Sequence, residues 1–325
     1  MMEKYPCVYL DKDPNRDFIV LNLTDIQLLS NEVRWNMDNY RIAKRTIEEL
    51  IHTIQPDLIT LTGDFGYADD DLYAYHALAD LLETFQIPWA PIWGNHDNQE
   101  GNDGTKKLAE IFKKRSMCIY QDGDPVMGNG NYTILICENG KPIEALFMMD
   151  SHDRVNLNGY SVDAKIIPEQ LDWYRSQVLK LKAQGCRDST IMLHVPIHAY
   201  RTAYAAAIKN EIEVVSLLDD NSSFVWISGY EDSFGVRYGT ICTYPEEDGV
   251  LSVLEELDHT HHVLAGHDHM NNFSIKYHGV RLTYSLKTGS GHSWNPKLNG
   301  GTVLRINHDG VYHIYHAYMD GNPSS

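Results

Sequence analysis

The sequence predicts an α/β fold in which two packed sheets carry helices on their outer faces. Three observations predict it. Buried-strand runs alternate with amphipathic helical patterns through the first half. Further strands follow in the middle and near the end, so the sheets are fed from both halves of the chain. Polar residues stand immediately after several strand ends, at the sheet edge where open α/β folds build their sites.

The first strand is the apolar run Phe18–Thr24, which ends at Asp25. A helical pattern then runs from Met37 to Ile54, with Ile42, Thr46, Leu50 and Ile54 on one face and Pro56 as its stop. The second strand, Leu58–Thr62, ends at Gly63-Asp64, and a helix follows near Asp70–Phe85. Ile87–Trp93 reads as a short, proline-bearing strand ending at Gly94, and Thr105–Lys114 as a helix. Asn131–Cys137 and Glu144–Met149 read as neighbouring strands joined by the turn-type stretch Glu138–Pro142. Pro168–Gln184 is helical in pattern, and Thr190–Leu193 is a buried strand ending at His194. His261–Leu264, Asn272–Tyr277, Val280–Tyr284, Gly301–Ile306 and Val311–Tyr318 read as the closing strands. Ala199–Gly249 reads as a helix and loops, a candidate cap or loop insertion over the site. No linker, repeat or low-complexity stretch divides the chain, so residues 1–325 are expected to form a single domain.

An apolar fraction of 43% is enough for a large core. The formal charge of −18 argues against a nucleic-acid partner, which needs basic patches. An acidic protein can still bind phosphate when metal ions supply the positive charge. Five cysteines, an odd number with no CxxC pair, read as reduced thiols rather than a disulfide framework. No secretory h-region is visible at the start, so the expected location is cytoplasmic. No apolar run approaches the ~20 residues of a membrane span. The sequence carries no indication of oligomeric state.

The polar residues after the strands form a ligand set for two metal ions. Asp25, Asp64, Asn95, His194, His267 and His269 supply carboxylate, amide and imidazole donors. Two-metal hydrolysis needs a carboxylate shared by ions ~3.5–4 Å apart, and Asp64, on a glycine-bearing turn, is the candidate bridge. Gly94 allows the sharp turn that points Asn95 inward. If Gly266–His269 is extended, the rings of His267 and His269 lie on one face. Some pieces alone are weak, since a Gly-Asp after a strand is commonly just a turn and a lone His-x-His is weak evidence, but Gly94-Asn95-His96-Asp97 after a strand is much more specific. Their order, each at a strand end, carries the signal.

The order resembles the calcineurin-like metallophosphoesterase superfamily, whose pattern is DxH, GD, GNH(D/E), H and GHxH. The resemblance covers residues 18–306. It looks closest to the purple-acid-phosphatase-like branch, on the wording of Gly63–Asp69 (GDFGYAD), Gly94–Asn98 (GNHDN) and Leu264–Asn272 (LAGHDHMNN). It implies a four-layer α/β/β/α sandwich of two mixed sheets flanked by helices, with the metals at the strand ends. It further implies that Asp25, Asp64 and His269 bind the first metal, and that Asp64, Asn95, His194 and His267 bind the second. His96 would stand near the phosphoryl group, oriented by Asp97.

The departure is Gln27, where most of the superfamily has a histidine ligand. The purple branch also lacks that histidine and has tyrosine in GDxxY, here Tyr67. A tyrosinate suits Fe(III), so the resemblance implies iron at the first site and iron, zinc or manganese at the second. The alternative is that Tyr67 packs at a helix start while Gln27 holds a water.

The implied activity is hydrolysis of phosphate monoesters by a metal-bound hydroxide, with His96 stabilising charge or protonating the leaving group. His198, four residues after His194, is a candidate contact for the phosphoryl oxygens. His152 and His292 read as surface residues in preference to substrate contacts, and His259, His261 and His262 as surface and core residues. The expected substrate is a phosphorylated small molecule or a phosphoprotein. A phosphodiesterase or nucleotide pyrophosphatase would use the same core, because specificity belongs to loops. A non-catalytic binding module would have lost more ligands, and a nuclease fits poorly with the charge.

Overall fold

The structure is a computed structural model that describes residues 5–68, 71–99, 102–209, 225–226 and 232–319. Its elements run β1 (Cys7–Lys12), β2 (Phe18–Leu23), α1 (Ser30–Arg34), α2 (Asp38–Ile54), β3 (Leu58–Thr62), α3 (Tyr73–Glu83), β4 (Trp89–Ile92) and α4 (Asn102–Phe112). Next come β5 (Tyr132–Glu138), β6 (Lys141–Met148), β7 (Arg154–Leu157), β8 (Tyr160–Asp163), α5 (Pro168–Ala183), β9 (Asp188–Met192) and α6 (Ala199–Lys209). The chain closes with β10 (Val225–Trp226), β11 (Val236–Arg237), α7 (Val250–Leu257), β12 (Thr260–Ala265), β13 (Ser274–Tyr277), β14 (Val280–Tyr284), β15 (Gly300–Asn307) and β16 (Gly310–Tyr318).

Two mixed sheets organise these elements. One has five strands in the order β16-β15-β2-β3-β4, the other seven in the order β1-β5-β6-β9-β12-β14-β13. Strands β2, β3 and β4 are mutually parallel, as are β6, β9, β12 and β14. Side-chain alternation in the larger sheet separates two cores. Ile134, Ile136, Leu146 and Met148 pack with the five-stranded sheet and with α2, α3 and α4. Leu135, Cys137 and Phe147 pack with α5, α6 and α7 on the other face. The layers are therefore α/β/β/α, and the sheets are the expected mixed pair flanked by helices.

Local chemistry explains most boundaries. All of β3 is buried, as suits a parallel strand covered on both faces. Pro91 is tolerated because β4 is an edge strand. Helix α2 ends where Gln55 adopts a left-handed conformation, one residue before Pro56. Its buried stripe is Ala43, Thr46, Ile47, Leu50 and Ile51, so the face is rotated from the expected Ile42–Ile54 line, and Ile42 is only half-buried. Strand β1, the β7–β8 pair and helices α1 and α7 have no counterpart in the sequence reading. The β7–β8 pair is largely exposed and lacks the apolar alternation that marks a strand. The candidate cap at 199–249 begins as helix α6, but residues 210–224 and 227–231 lie outside the described residues. Among the described residues no helix is long and apolar enough to cross a membrane.

His316 of β16 ties the sheets together. Its Nε2 donates to the Asn272 carbonyl at 2.6 Å, and Nδ1 lies 3.0 Å from the Thr302 hydroxyl. Burial pushes His316 and His262 down to about 4. An unfolded histidine takes its proton near 6.5, so between those values the unfolded chain binds more protons than the folded one. Stability contributed by these neutral rings is therefore present above pH 6.5 and lost as the pH falls towards 4, at up to ~1.4 kcal/mol per pH unit for each ring. His316→Gln is expected to flatten this acid slope. Guanidinium unfolding of metal-free wild type and variant at pH 7 and pH 5 checks it, and an unchanged slope would refute it.

Candidate metal centre

Six candidate ligands converge where the carboxyl ends of the two sheets meet. Past their last ladder pairs, the chains leaving β2 and β3 stay hydrogen-bonded. The Asp25 N–H donates to the Gly63 carbonyl (3.0 Å), Gln27 to Asp64 (2.9 Å) and Leu28 to Phe65 (2.9 Å). Asp25 and Asp64 both sit at positive φ, +52° and +54°, a strained setting for non-glycine residues that is typical of functional turns. Gly94 passes so close to Asp64 that a Cβ there would lie 2.1 Å from Oδ1, so only glycine fits.

The larger sheet delivers its donors alongside. His194 follows β9, and the Gly266 N–H donates to its carbonyl at 3.0 Å. Gly266–His269 is not extended, contrary to the geometry considered from sequence. The Asp268 N–H donates to the Gly266 carbonyl at 2.9 Å, and His267 at the centre has φ +76°, which makes a γ-turn of the strained kind. Asp268 braces that turn by accepting from the Tyr284 hydroxyl (2.5 Å) and the Cys242 N–H (2.9 Å).

The donor atoms face one another. His194 Nε2 lies 3.1 Å from Asn95 Oδ1, 3.3 Å from Asp64 Oδ2 and 3.3 Å from His267 Nδ1. His269 Nε2 lies 3.3 Å from Asp25 Oδ1. An ion held ~2.1 Å from each donor spaces neighbouring donors ~3.0–3.4 Å apart, so these separations suit coordination. Among the described residues Asp25 Oδ1 is buried with no hydrogen bond, a carboxylate oxygen facing the cluster with only the His269 ring nearby. The tautomers also fit. His194 Nδ1 donates to the Thr62 carbonyl (2.7 Å) and His269 Nδ1 to the His292 carbonyl (2.8 Å), so each ring turns Nε2 towards the cluster, where its lone pair serves an ion once that nitrogen is deprotonated. His267 is oriented from behind by Asp163 of β8, 3.5 Å from Nε2, which leaves Nδ1 for a metal. The residues present fit two ions.

Charge in the site is strongly coupled. Burial opposes ionisation of Asp25, but His269, His194 and Lys287 outweigh it and hold the carboxyl well below the usual carboxylate range. Burial disfavours protonated His194, yet Asp64 and Asp25 outweigh it and pull its pKa up to about 10. In the metal-free protein that imidazole holds a proton. Burial brings the Lys287 ammonium down to about 8 against the pull of Asp25 and Asp64.

The remaining candidates stand as follows. His96 lies at the rim: its N–H donates to Asp64 Oδ1 (2.9 Å), and its Nε2 is 4.0 Å from Asp64 Oδ2. The Gln99 amide donates to Nδ1 (2.9 Å), so the neutral ring carries its proton on Nε2. Burial lowers the His96 pKa. Tyr67 is half-buried, its ring edge-on to His96 at 4.9 Å. Asp97 has a different role from the expected one of orienting the His96 ring. Its buried carboxylate accepts from the N–H groups of Asp64 (2.7 Å), Phe65 (3.1 Å) and Gly94 (2.9 Å) and from the Tyr75 hydroxyl (2.8 Å). His198 turns towards the 244–248 loop, its N–H donating to Asp248 (2.6 Å) and Nδ1 to the Tyr244 carbonyl (3.2 Å). His152 is half-buried, with Nε2 3.0 Å from Gln170 Oε1, not a free surface ring. His292 contributes its carbonyl, while its side chain is exposed.

Sequence reasoning missed Asp163, Asp268, Tyr75 and Lys287. Asp163 sits on a pair of strands that has no pattern. Lys287 had a signal: it closes the run Leu282–Leu286, a charge at a buried strand end like Asp25.

The calcineurin-like phosphoesterase family description matches residues 18–271. The chain belongs to that family. Relatives of this chain include a protein named "Probable inactive purple acid phosphatase 14" from Arabidopsis thaliana, 25% identical over 270 residues, covering 75% of this chain and 61% of the relative. Another is "Phosphatase DCR2" from Saccharomyces cerevisiae, 29% identical over 287 residues, covering 80% and 44%. The chain thus spans about half the length of the curated relatives it matches. Among solved structures, a dimetal phosphatase from Danio rerio shares the fold, with a TM-score of 0.56, 12% identity, and coverage of 93% of this chain and 95% of that one.

Two outcomes are expected of this family member's metal centre. Because His194 must lose its proton to ligate, loading metal-free protein with Zn²⁺ at pH 7 in weak buffer should release protons, and affinity should rise with pH. Proton counting by pH-stat checks this, with no release as the refuting result. Asp163→Ala should weaken binding of one of the two ions ~10–100-fold, read by competition with a chromophoric chelator. Unchanged affinity would remove Asp163 from the site.

Proposed function

We propose that this chain is a dinuclear-metal-dependent phosphoesterase that hydrolyses phosphate monoesters. The observation that carries this reading is one cluster of donors around Asp64: its carboxylate groups with Asp25 and His194, His269 faces Asp25, and Asn95 and His267 face His194. When bound, the metal pair supplies a low-pKa water as nucleophile and neutralises charge on the transferring phosphoryl group.

The side chains do the rest. Asp64 is held in place as the shared carboxylate by its turn and by the His96 N–H. His96 presents an Nε2–H at the rim, placed to donate to a phosphoryl oxygen or to the leaving group. Asp97 ties the Asp64 and Gly94 turns together, so the bridging carboxylate and Asn95 move as one unit. His198 has given its Nδ1–H to Tyr244 and could donate to phosphate only as an imidazolium. We assign it to anchoring the 244–248 loop in place of the phosphoryl contact.

Iron at the first site, with Tyr67 as phenolate donor, and iron, zinc or manganese at the second is our assignment of the metals. It is supported by Gln27, whose carboxamide oxygen already accepts from Lys287 at 2.7 Å and is not free for an ion. The substrate proposed is a phosphorylated small molecule or phosphoprotein, in a cytoplasmic setting suited to five free cysteines. Ligands drawn from both sheets support reading residues 1–325 as one domain.

Hydrolysis of p-nitrophenyl phosphate by metal-loaded protein tests the activity. Asp64→Ala is expected to lower kcat/KM by ~10³-fold or more, and His96→Ala by ~10²-fold. Intact activity in Asp64→Ala, or a preference for the bis-ester, would overturn the reading. An iron-loaded sample should show a visible charge-transfer band that Tyr67→Phe abolishes. A colourless iron-loaded protein would reject the phenolate ligand.

A further inference from the structure

We infer that Asp163, Cys242 and His267 form a third metal site, which takes one soft divalent ion such as Zn²⁺ on the outer nitrogen of the His267 ring. The inference rests on the ligand assignment proposed above, in which His267 gives Nδ1 to the metal pair.

Among the described residues, two groups of three side chains bring metal-ligating atoms within 4.8 Å of one another. One is Asp25, Asp64 and His194, in the paired site. The other is Asp163, Cys242 and His267. Its members come from three separate places: the end of β8, the loop after β11 and the γ-turn after β12. Asp163 Oδ2 lies 3.5 Å from His267 Nε2, whereas Nδ1 of the same ring faces His194. Cys242 is fixed by its backbone, whose N–H donates to Asp268 Oδ2 at 2.9 Å. Its thiol is thereby held beside the other two donors. Asp163 is buried, and Cys242 and His267 are half-buried, so the donors are largely out of water yet within reach of an ion.

The donor types select the ion. A thiolate with an imidazole and one carboxylate favours Zn²⁺ over Mg²⁺, Ca²⁺ or Mn²⁺, which prefer oxygen ligands. Around a tetrahedral Zn²⁺ the donor atoms stand ~3.3–3.8 Å apart, a spacing that His267 and Asp163 already have. Three protein ligands leave the fourth position to water, the pattern of an open site rather than a closed structural one. Burial, with Asp268 and Asp163 nearby, pushes the Cys242 thiol up to about 12, so it holds its proton near neutrality. Binding therefore releases two protons to solvent, one from Cys242 Sγ and one from His267 Nε2. The thiolate and the Asp163 carboxylate then match the charge of the ion, and the His267 ring links it to the metal pair.

The test is a titration of the full chain with Cd²⁺, a soft stand-in for Zn²⁺, at fixed pH 7. Bound metal is counted by elemental analysis, and thiolate ligation is read from the ultraviolet charge-transfer band. Wild type is expected to bind three ions and to develop the band. Cys242→Ser, which keeps the backbone N–H that braces Asp268, should bind two ions and develop no band. Asp163→Asn should lose the band as well, and decides alone if Cys242→Ser does not fold. No band in wild type, a band that persists in Cys242→Ser, or a band-forming ion that is one of only two bound, overturns the inference. One bound ion alone, with a band that depends on Cys242, would instead overturn the ligand assignment of the pair.

Discussion

Asp25 and Asp64 are buried side by side, and most of the architecture around them compensates that charge. Burying an ionised carboxylate is costly unless it is paired and hydrogen-bonded. Asp25 Oδ2 takes the His267 N–H and the Thr24 hydroxyl, and Asp64 Oδ1 takes the His96 N–H. His194 stands 3.3 Å from Asp64, and Lys287 sits behind Asp25. Even so, among the described residues Asp25 Oδ1 accepts no hydrogen bond and has only the His269 ring 3.3 Å away. A site with this much buried negative charge, faced by imidazole nitrogens, is built for cations.

The precision of the site comes from ties between turns rather than from the turns alone. Each ligand sits on a loop, and loops by themselves hold side chains poorly. Asp97 gathers three backbone amides and a hydroxyl from the turns after β3 and β4 and from α3. Asp268 does the same for the γ-turn of the larger sheet. Segment 285–289 joins the two sheets: Ser285 N–H donates to Ala265, and Thr288 N–H donates to Thr24. Donors from both sheets are thereby held against one another. Two acids next to the candidate ligands, in sequences that read as ligand motifs, thus hold backbone amides and tyrosine hydroxyls.

Much of the framework was legible because its cause is local. Long apolar runs between turn residues mark β2, β3, β9 and β12, and a 3.6-residue stripe marks α2. The candidate donors were placed for the same reason: a polar residue directly after a buried run has nowhere to go but the sheet edge. What escaped had no periodic signal. The β7–β8 pair, exposed and mixed in composition, carries Asp163 to His267. The turn at His267 could not be foreseen, since its bond runs between the Asp268 N–H and the Gly266 carbonyl and its brace comes from Tyr284 and Cys242.

The sequence by itself determined the donor set, its order along the chain and the sheet ends that carry it, because those follow from hydrophobic period and the position of polar residues. Only the tertiary structure decided which donors face which. It made Asp97 a tie between turns, sent His198 to a loop carbonyl and bound Gln27 to Lys287. The physical reason is that these choices depend on partners 22 to 260 residues away, which meet only when the two sheets pack and their carboxyl ends converge.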